Sequence, residues 1–185
     1  DLGPAVLTLP GAWDEVFRAA GSALADQVEL VALDPQVRCR WTDGSMLDVP
    51  DDETEWRSAL ERFSPGASAE WQQFATTAER LWGAMAASHL AGPLPDGVPG
   101  LRRLRPPLDL GALDGKRTLA ALAADHLTDP RLRQLVGRYA TQVGASPFQA
   151  PGTLAALAHV ERTHGVWHVA GGVGRVFAQP TTNVA

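Results

Sequence analysis

The sequence predicts a helix-rich α+β fold with a small antiparallel sheet. Several segments carry apolar residues at helical spacing, the longest over residues 69–90, whereas one segment alternates like a β-hairpin and closes on an Asp-Gly turn. With 185 residues, of which 45% are hydrophobic, the chain is large enough to bury a core without disulfides. We therefore expect a single domain or fragment over residues 1–185.

The first third of the chain predicts short strands around one helix. An extended run over residues 5–9 precedes Trp13, Val16, Phe17 and Ala20, whose spacing predicts a helix over residues 13–24. "QVELVAL" predicts a strand that ends at Asp34-Pro35. "VRCRWTDGSMLDVP" predicts a hairpin whose turn is Asp43-Gly44, with Arg38 and Arg40 on one face.

The rest of the chain is mainly helical. Asp51, Asp52 and Thr54 can cap a helix that ends at Phe63, and Ser68 can cap the helix over residues 69–90. Further helices are predicted over residues 118–126, 130–143 and 153–164, the last capped by Thr153 and ended by Gly165. Between them, residues 91–116 are rich in proline, glycine and arginine and predict a long connector.

Charge and cysteine content restrict the class of protein. The net charge of −5 does not favour nucleic-acid binding, and the single cysteine suits a reducing compartment. No apolar run approaches the ~20 residues that span a bilayer. Within the connector, Arg102, Arg103 and Arg105 either contact anionic headgroups or belong to a solvated loop. We expect a cytoplasmic protein with peripheral attachment at the inner face of the membrane.

A glycine turn near the end of the chain is the main candidate for a binding site. In "GVWHVAGGVGRV" a short apolar strand leads into Gly171, Gly172 and Gly174. A dinucleotide fingerprint requires a third glycine where Phe177 stands, so a self-contained Rossmann site is excluded. Two alternatives remain: a turn whose backbone approaches a ligand closely, and a plain structural turn.

Other polar clusters have simpler explanations. "GASPF" around Ser146 lacks the closing glycine of a nucleophile elbow, which favours a turn serine. His159, His164 and His168 lack the spacing of a metal site. Asp125, His126 and Asp129 are better explained by a helix start at Asp129-Pro130. The apolar stripe of the longest helix is either core or the lining of a pocket for a long apolar ligand; its members are Trp71, Phe74, Ala75, Ala78, Leu81, Trp82, Met85 and His89.

Four segments, taken in order, resemble the phytoene desaturase family of carotenoid desaturases, which are FAD-dependent flavoproteins related to amine oxidases. These segments are "DLGPAVLTLP", "VELVALDPQVRCRWTDGSMLDVP", "DPRLRQLVGRYATQVGASPFQAPG" and "GVWHVAGGVGRV". The resemblance covers nearly the whole chain. The sequence departs from the family pattern in two ways. His168-Val169 stands where the family usually has Tyr-Pro, and the N-terminal FAD fingerprint and the C-terminal FAD-contacting segment are missing.

The resemblance implies a substrate-domain portion of a Rossmann-type FAD oxidoreductase. It implies that a return segment, residues 165–176, brings Gly171, Gly172, Val173 and Gly174 close to the flavin. On the substrate side it implies Trp167 near the channel for a long apolar polyene, and we expect Phe148, Trp82 and Met85 as further substrate contacts. It assigns no catalytic residue and no metal ion.

Two hypotheses follow. In the first, the chain is part of a longer enzyme that passes hydride from a polyene to FAD. In the second, it is a non-catalytic module, derived from such an enzyme, that binds an apolar ligand or a lipid surface. The chain begins at Asp1 without an initiator Met, and we expect a truncated, processed or partial sequence.

We predict that this chain by itself does not retain FAD. No complete phosphate-binding turn is present, and a flavin dinucleotide needs its pyrophosphate held by a helix N-terminus. The measurement is flavin absorbance after the purified chain has been incubated with FAD and desalted. A stoichiometric flavin spectrum would contradict this prediction.

Overall fold

The helix-rich α+β fold is confirmed, in a computed structural model that describes residues 6–86 and 113–177. The helices and strands of these residues are α1 Pro10–Ala19, α2 Leu24–Gln27, β1 Leu30–Ala32, β2 Val37–Arg40, β3 Met46–Val49, α3 Glu53–Phe63, α4 Ala67–Met85, α5 Leu119–His126, α6 Pro130–Gln142, a 3-10 helix Gly152–Ala155, α7 Ala156–His164, β4 Trp167–Val169 and α8 Gly174–Phe177. Two small antiparallel sheets pair β1 with β4 and β2 with β3.

The described residues form two units. The first contains residues 6–38, 48–56 and 160–177, and the second contains residues 39–47, 57–86 and 113–159. Three elements, the β2–β3 hairpin, α3 and α7, continue from one unit into the other along the chain.

In the first unit β4 lies between two partners. Leu30 of β1 is opposite Val169, and on the other side Leu7 is opposite Trp167. The amide of Leu7 donates to the carbonyl of Trp167 at 2.8 Å, and the amide of Trp167 donates to the carbonyl of Leu7 at 2.9 Å. β1 therefore pairs with all three residues of β4, and Leu7 adds a bridge to Trp167 at the other edge.

The first helix begins and ends earlier than predicted. The helix predicted over residues 13–24 is two helices, α1 and α2, with Pro10 in the first turn of α1. Proline suits that position because its missing N–H has no partner in a first turn. Gly21, at φ 89°, separates the two helices. The carboxylate of Asp14 then accepts a hydrogen bond of 2.9 Å from the amide of Leu24, which ties α2 to α1.

The hairpin prediction is confirmed. Gly44 adopts φ 84° in the turn between β2 and β3. Beside it, the carboxylate of Asp43 accepts from the amide of Ser45 at 2.8 Å, which is the local bond that favours aspartate in turns. Arg38 and Asp48 form a two-point ion pair across the strands, at 2.7 and 2.8 Å.

The apolar stripe of α4 belongs to the core of the second unit. Trp71, Phe74, Ala78 and Leu81 are buried, where α4 packs on α5 and the 3-10 helix. The expected Ser68 cap is wrong, because α4 begins at Ala67 behind a left-handed Gly66. The predicted helix end at residue 90 lies outside the described residues.

The later helices lie where the sequence predicts them, with one exception. Thr118 caps α5 by accepting from the amide of Ala121 at 3.2 Å. Asp129 caps α6 by accepting from the amide of Arg131 at 2.8 Å. The predicted Thr153 cap is wrong, because this segment begins as a 3-10 helix and the Thr153 hydroxyl donates to the carbonyl of Leu113.

A charged and aromatic cluster holds three parts of the second unit together. The Arg131 guanidinium lies 4.1 Å from the centre of the Phe63 ring, which also contacts Trp41 at 5.3 Å between ring centres. Arg131 pairs with the buried Asp129 at 2.7 Å. This pairing keeps the pKa of Asp129 below its usual value, mainly through the side-chain hydrogen bond from Arg131. The turn of the hairpin, the end of α3 and the start of α6 are joined in this way.

We predict that Asp129→Asn destabilises the chain at pH 7 by about 1–3 kcal/mol, because the Arg131 guanidinium loses its charged acceptor. Because the pKa of Asp129 is lower in the folded chain than its ordinary value of 3.8, its charge stabilises the fold at pH values above 3.8. This stabilisation is lost as the pH falls through the pKa of the folded state. Urea unfolding at pH 7 and pH 3 should therefore show the gap between the two proteins narrowing in acid. Glu79→Gln, at an exposed position on α4, is the control. A gap that is constant with pH would contradict this account.

Candidate functional site

The glycine turn, residues 171–174, begins where β4 ends. Gly171 and Gly172 have φ values of 82° and 94°, which glycine adopts at little cost and other residues do not. The amide of Gly172 donates back to the carbonyl of Val169 at 2.8 Å, and the amide of Arg175 donates to the carbonyl of Gly172 at 3.1 Å. The sequence thus needs both glycines to reverse direction between β4 and α8.

The turn is anchored by apolar side chains on both sides. Val169 before it, Val173 within it and Val176 after it are buried in one cluster. The other buried members of that cluster are Leu7, Leu24 and Val28. Because the side chain of Val173 is in the core, only its backbone is available to a ligand, and its predicted cofactor contact stays a prediction.

One exposed side chain covers the turn. A Cβ atom placed on Gly171 would lie 2.5 Å from Nε and 2.9 Å from Cζ of Arg175. The Arg175 guanidinium thus lies directly against the bare backbone of Gly171. Sequence reasoning missed this residue. Its signal was an arginine four positions after the first glycine of the turn.

Trp167 has a structural role in the first unit. Its indole Nε1–H donates to the carbonyl of His164 at 2.8 Å, at the end of α7. The same ring covers Gly165, where an added Cβ would be 3.2 Å from Nε1. Gly165, at φ 73°, ends α7 as predicted. The Trp167 side chain therefore already completes the end of α7, and any contact with substrate would have to use the same ring.

The other residues predicted on the substrate side belong to the second unit. Phe148 is 76% exposed, in the segment between α6 and the 3-10 helix. Its amide donates to the Ser146 hydroxyl at 3.3 Å, which is the turn role that the sequence favours for this serine. Trp82 and Met85 are half-buried near the end of α4.

Some ionisable residues of the second unit are held by neighbouring polar groups. Arg117 pairs with Asp114 and Asp125. His126 lies 3.2 Å from the Thr77 hydroxyl, and its pKa is lowered by burial and then by Arg117. Within residues 6–86 and 113–177, no group of three His, Cys, Asp or Glu side chains is placed to hold a metal ion. No helix in these ranges is long and apolar enough to cross a membrane.

Comparison with known proteins finds relatives whose sequences match nearly the whole chain. The chain is 31% identical over 174 residues to a 4,4'-diapolycopene oxygenase of Methylomonas, covering 94% of the chain and 35% of that protein. It is 35% identical over 181 residues to a hydroxyneurosporene desaturase of Rhodobacter capsulatus, covering 96% of the chain and 36% of that protein. It is 30% identical over 178 residues to a lycopene-forming phytoene desaturase of Pantoea ananas, covering 94% and 35%. No protein-family model matches.

The chain is homologous to part of the carotenoid desaturases. It spans about a third of the length of these curated relatives. The resemblance seen in the four sequence segments is thereby confirmed. The relatives' names cover both desaturation and oxygenation, so the homology relates the chain to these proteins but does not give its reaction.

The turn of this carotenoid desaturase homologue could hold a flat or anionic group. Two adjacent glycines leave a length of backbone without side chains, and Arg175 adds a positive charge beside it. The buried valines on either side hold the backbone in place. The arginines predicted at a membrane, Arg102, Arg103 and Arg105, lie outside the described residues.

We predict that Trp167→Phe destabilises this desaturase homologue by about 1 kcal/mol, the value of one neutral hydrogen bond. Phenylalanine keeps an aromatic ring over Gly165 but cannot donate to the carbonyl of His164. The measurement is the midpoint of urea unfolding, followed by far-UV circular dichroism. An unchanged midpoint would show that the indole does not complete the end of α7.

Proposed function

We propose that the chain is the substrate-domain portion of an FAD-dependent carotenoid desaturase, which passes hydride from a long apolar polyene to flavin. The observation that carries the proposal is homology over about 95% of the chain to proteins named for carotenoid desaturation, with the glycine turn inside the matched region. Because the chain spans only about 35% of those proteins, the activity belongs to a longer polypeptide.

The glycine turn is the part of the chain proposed to meet the cofactor. A flavin can approach Gly171, Gly172 and Gly174 because these positions carry no side chain of their own; Arg175 lies over Gly171, and Val173 contributes backbone only. Bound FAD would supply the hydride acceptor. The chain's own contribution is a backbone fixed by β4 and by the buried valine cluster, which holds the contact surface before the cofactor arrives.

The substrate side is proposed to be apolar. Trp167 in the first unit, and Phe148, Trp82 and Met85 in the second, offer aromatic and thioether surface. Phe148 supports this best, because a ring that is 76% exposed gains free energy when an apolar ligand covers it. The polyene, cytoplasmic location and membrane contact through Arg102, Arg103 and Arg105 are parts of the same proposal.

A non-catalytic apolar-ligand or lipid-surface module is the alternative. It is favoured by the same exposed Phe148, which needs no flavin to bind an apolar molecule. Mass and visible spectrum of the protein purified from its own source separate the two. A yellow protein about three times the length of this chain supports the enzyme, as the 35% coverage of its relatives implies. A colourless protein of the length of this chain supports the module.

We predict that Gly172→Val, in the complete enzyme, abolishes flavin retention. Valine at φ 94° costs roughly 1–3 kcal/mol of backbone strain, and its side chain would project from the surface proposed for the cofactor. Flavin occupancy per folded molecule is measured on the same sample as helicity.

The matched control is Gly144→Val. Gly144 has a similar φ of 72°, lies in the second unit and has open space where a Cβ would be. It should lose stability but keep its flavin. If Gly172→Val also keeps flavin in a well-folded protein, or if flavin is lost only together with helicity, the glycine turn is structural and the proposed contact is wrong.

A further inference from the structure

Arg175 differs from the arginines that serve the fold. Several described arginines are each held by a carboxylate: Arg18 by Asp14, Arg38 by Asp48, Arg131 by Asp129 and Arg162 by Glu53. Arg175 is exposed, and none of the ion pairs within the described part of the chain includes it. Its positive charge is therefore available to a ligand.

The place of that charge is set by the glycine turn. The Arg175 side chain folds back over Gly171, so closely that a Cβ there would be 2.5 Å from Nε. Arg175 lies in α8, whose neighbouring Val176 is buried in the valine cluster. The backbone that carries the guanidinium is thus fixed, while the guanidinium itself stays at the surface of the turn.

We infer that Arg175 is a cofactor-contacting residue that binds negative charge on the flavin dinucleotide. The inference rests on the proposed function, which puts a flavin at this turn. A guanidinium binds anionic oxygens through strong, charge-assisted hydrogen bonds, and its flat face can also stack on a ring. Because residue 171 is glycine, the guanidinium can lie against its backbone. The guanidinium and the backbone of the turn can therefore contact the same ligand.

Two parts of the cofactor carry the relevant charge. The pyrophosphate is anionic at all times, whereas the ring system gains negative charge when it accepts hydride. Charge close to the ring tunes its electronics, and a cation favours the reduced form. Contact with the pyrophosphate would raise the affinity for FAD but not for riboflavin, which has no pyrophosphate. Contact with the ring would instead shift the reduction potential of the flavin.

The test uses the complete polypeptide that contains this chain, as wild type, Arg175→Gln and Arg175→Lys. Arg40→Gln is the matched control, because Arg40 is an exposed arginine of β2 and its loss changes the net charge equally. Dissociation constants for FAD and for riboflavin come from flavin fluorescence, and the two-electron potential comes from a redox-dye titration.

For Arg175→Gln we expect one of two results. A tenfold weaker affinity for FAD with unchanged affinity for riboflavin assigns Arg175 to the pyrophosphate. A tenfold loss of preference for the reduced flavin, which is about 30 mV more negative for two electrons, assigns it to the ring. Arg175→Lys should recover part of either effect, and raised salt should weaken FAD binding to the wild type.

Failure of this inference can be told apart from failure of the proposed function. If the wild type binds flavin but Arg175→Gln matches Arg40→Gln in affinity and potential, Arg175 makes no such contact and the inference is wrong. If the wild type binds no flavin, the proposed function itself is overturned. If Arg175→Gln does not fold, the salt dependence and the lysine variant still decide, since no response in either would contradict a charged contact.

Discussion

The pairing of β4 on both edges is the constraint on which the candidate site depends. A three-residue strand is too short to hold a fixed position by one ladder alone. Here β1 pairs with one edge and Leu7 with the other, and Val169 enters the apolar cluster. The strand therefore ends at a defined point. The two glycines with left-handed φ, Gly171 and Gly172, follow directly. A shift in the register of β4 would therefore move their backbone.

The same arrangement explains why one short segment carries both structural and binding features. Within residues 165–176 the four valines are buried, Gly171 and Arg175 are exposed, and the other glycines are half-buried. Trp167 completes the end of α7 through its indole N–H. The buried valines hold this segment in place, and they alternate with exposed positions. The exposed backbone at the glycine turn is therefore rigid although it carries few side chains.

The second unit shows a different division of roles. The apolar stripe of α4 is mostly consumed by packing on α5, so its buried members are core rather than the lining of a pocket. Trp82 and Met85, towards the end of the helix, are less buried and Phe148 is largely exposed. The apolar surface left for a ligand in the described part of this unit is thus at its periphery.

Much of this fold could be predicted from local sequence, because hairpin turns, helix caps and apolar spacing act within a few residues. Asp43-Gly44, Asp52 and Asp129 are examples in which the side chain bonds to its own neighbourhood. Features that depend on tertiary contacts were missed. The Leu7 bridge to Trp167, the burial of Val173 and the position of Arg175 over Gly171 all depend on how distant or folded-back segments meet, which spacing does not encode.

The most direct test of the central claim is an anaerobic single-turnover measurement on the complete flavin-loaded protein. A long polyene that still contains single bonds open to desaturation is added in detergent micelles. The absorbances of the flavin and of the polyene are followed together. The account predicts bleaching of the flavin and, in equal amount, a polyene with one more conjugated double bond. A flavin that stays oxidised while the polyene is bound, or that bleaches without a new double bond, would contradict it.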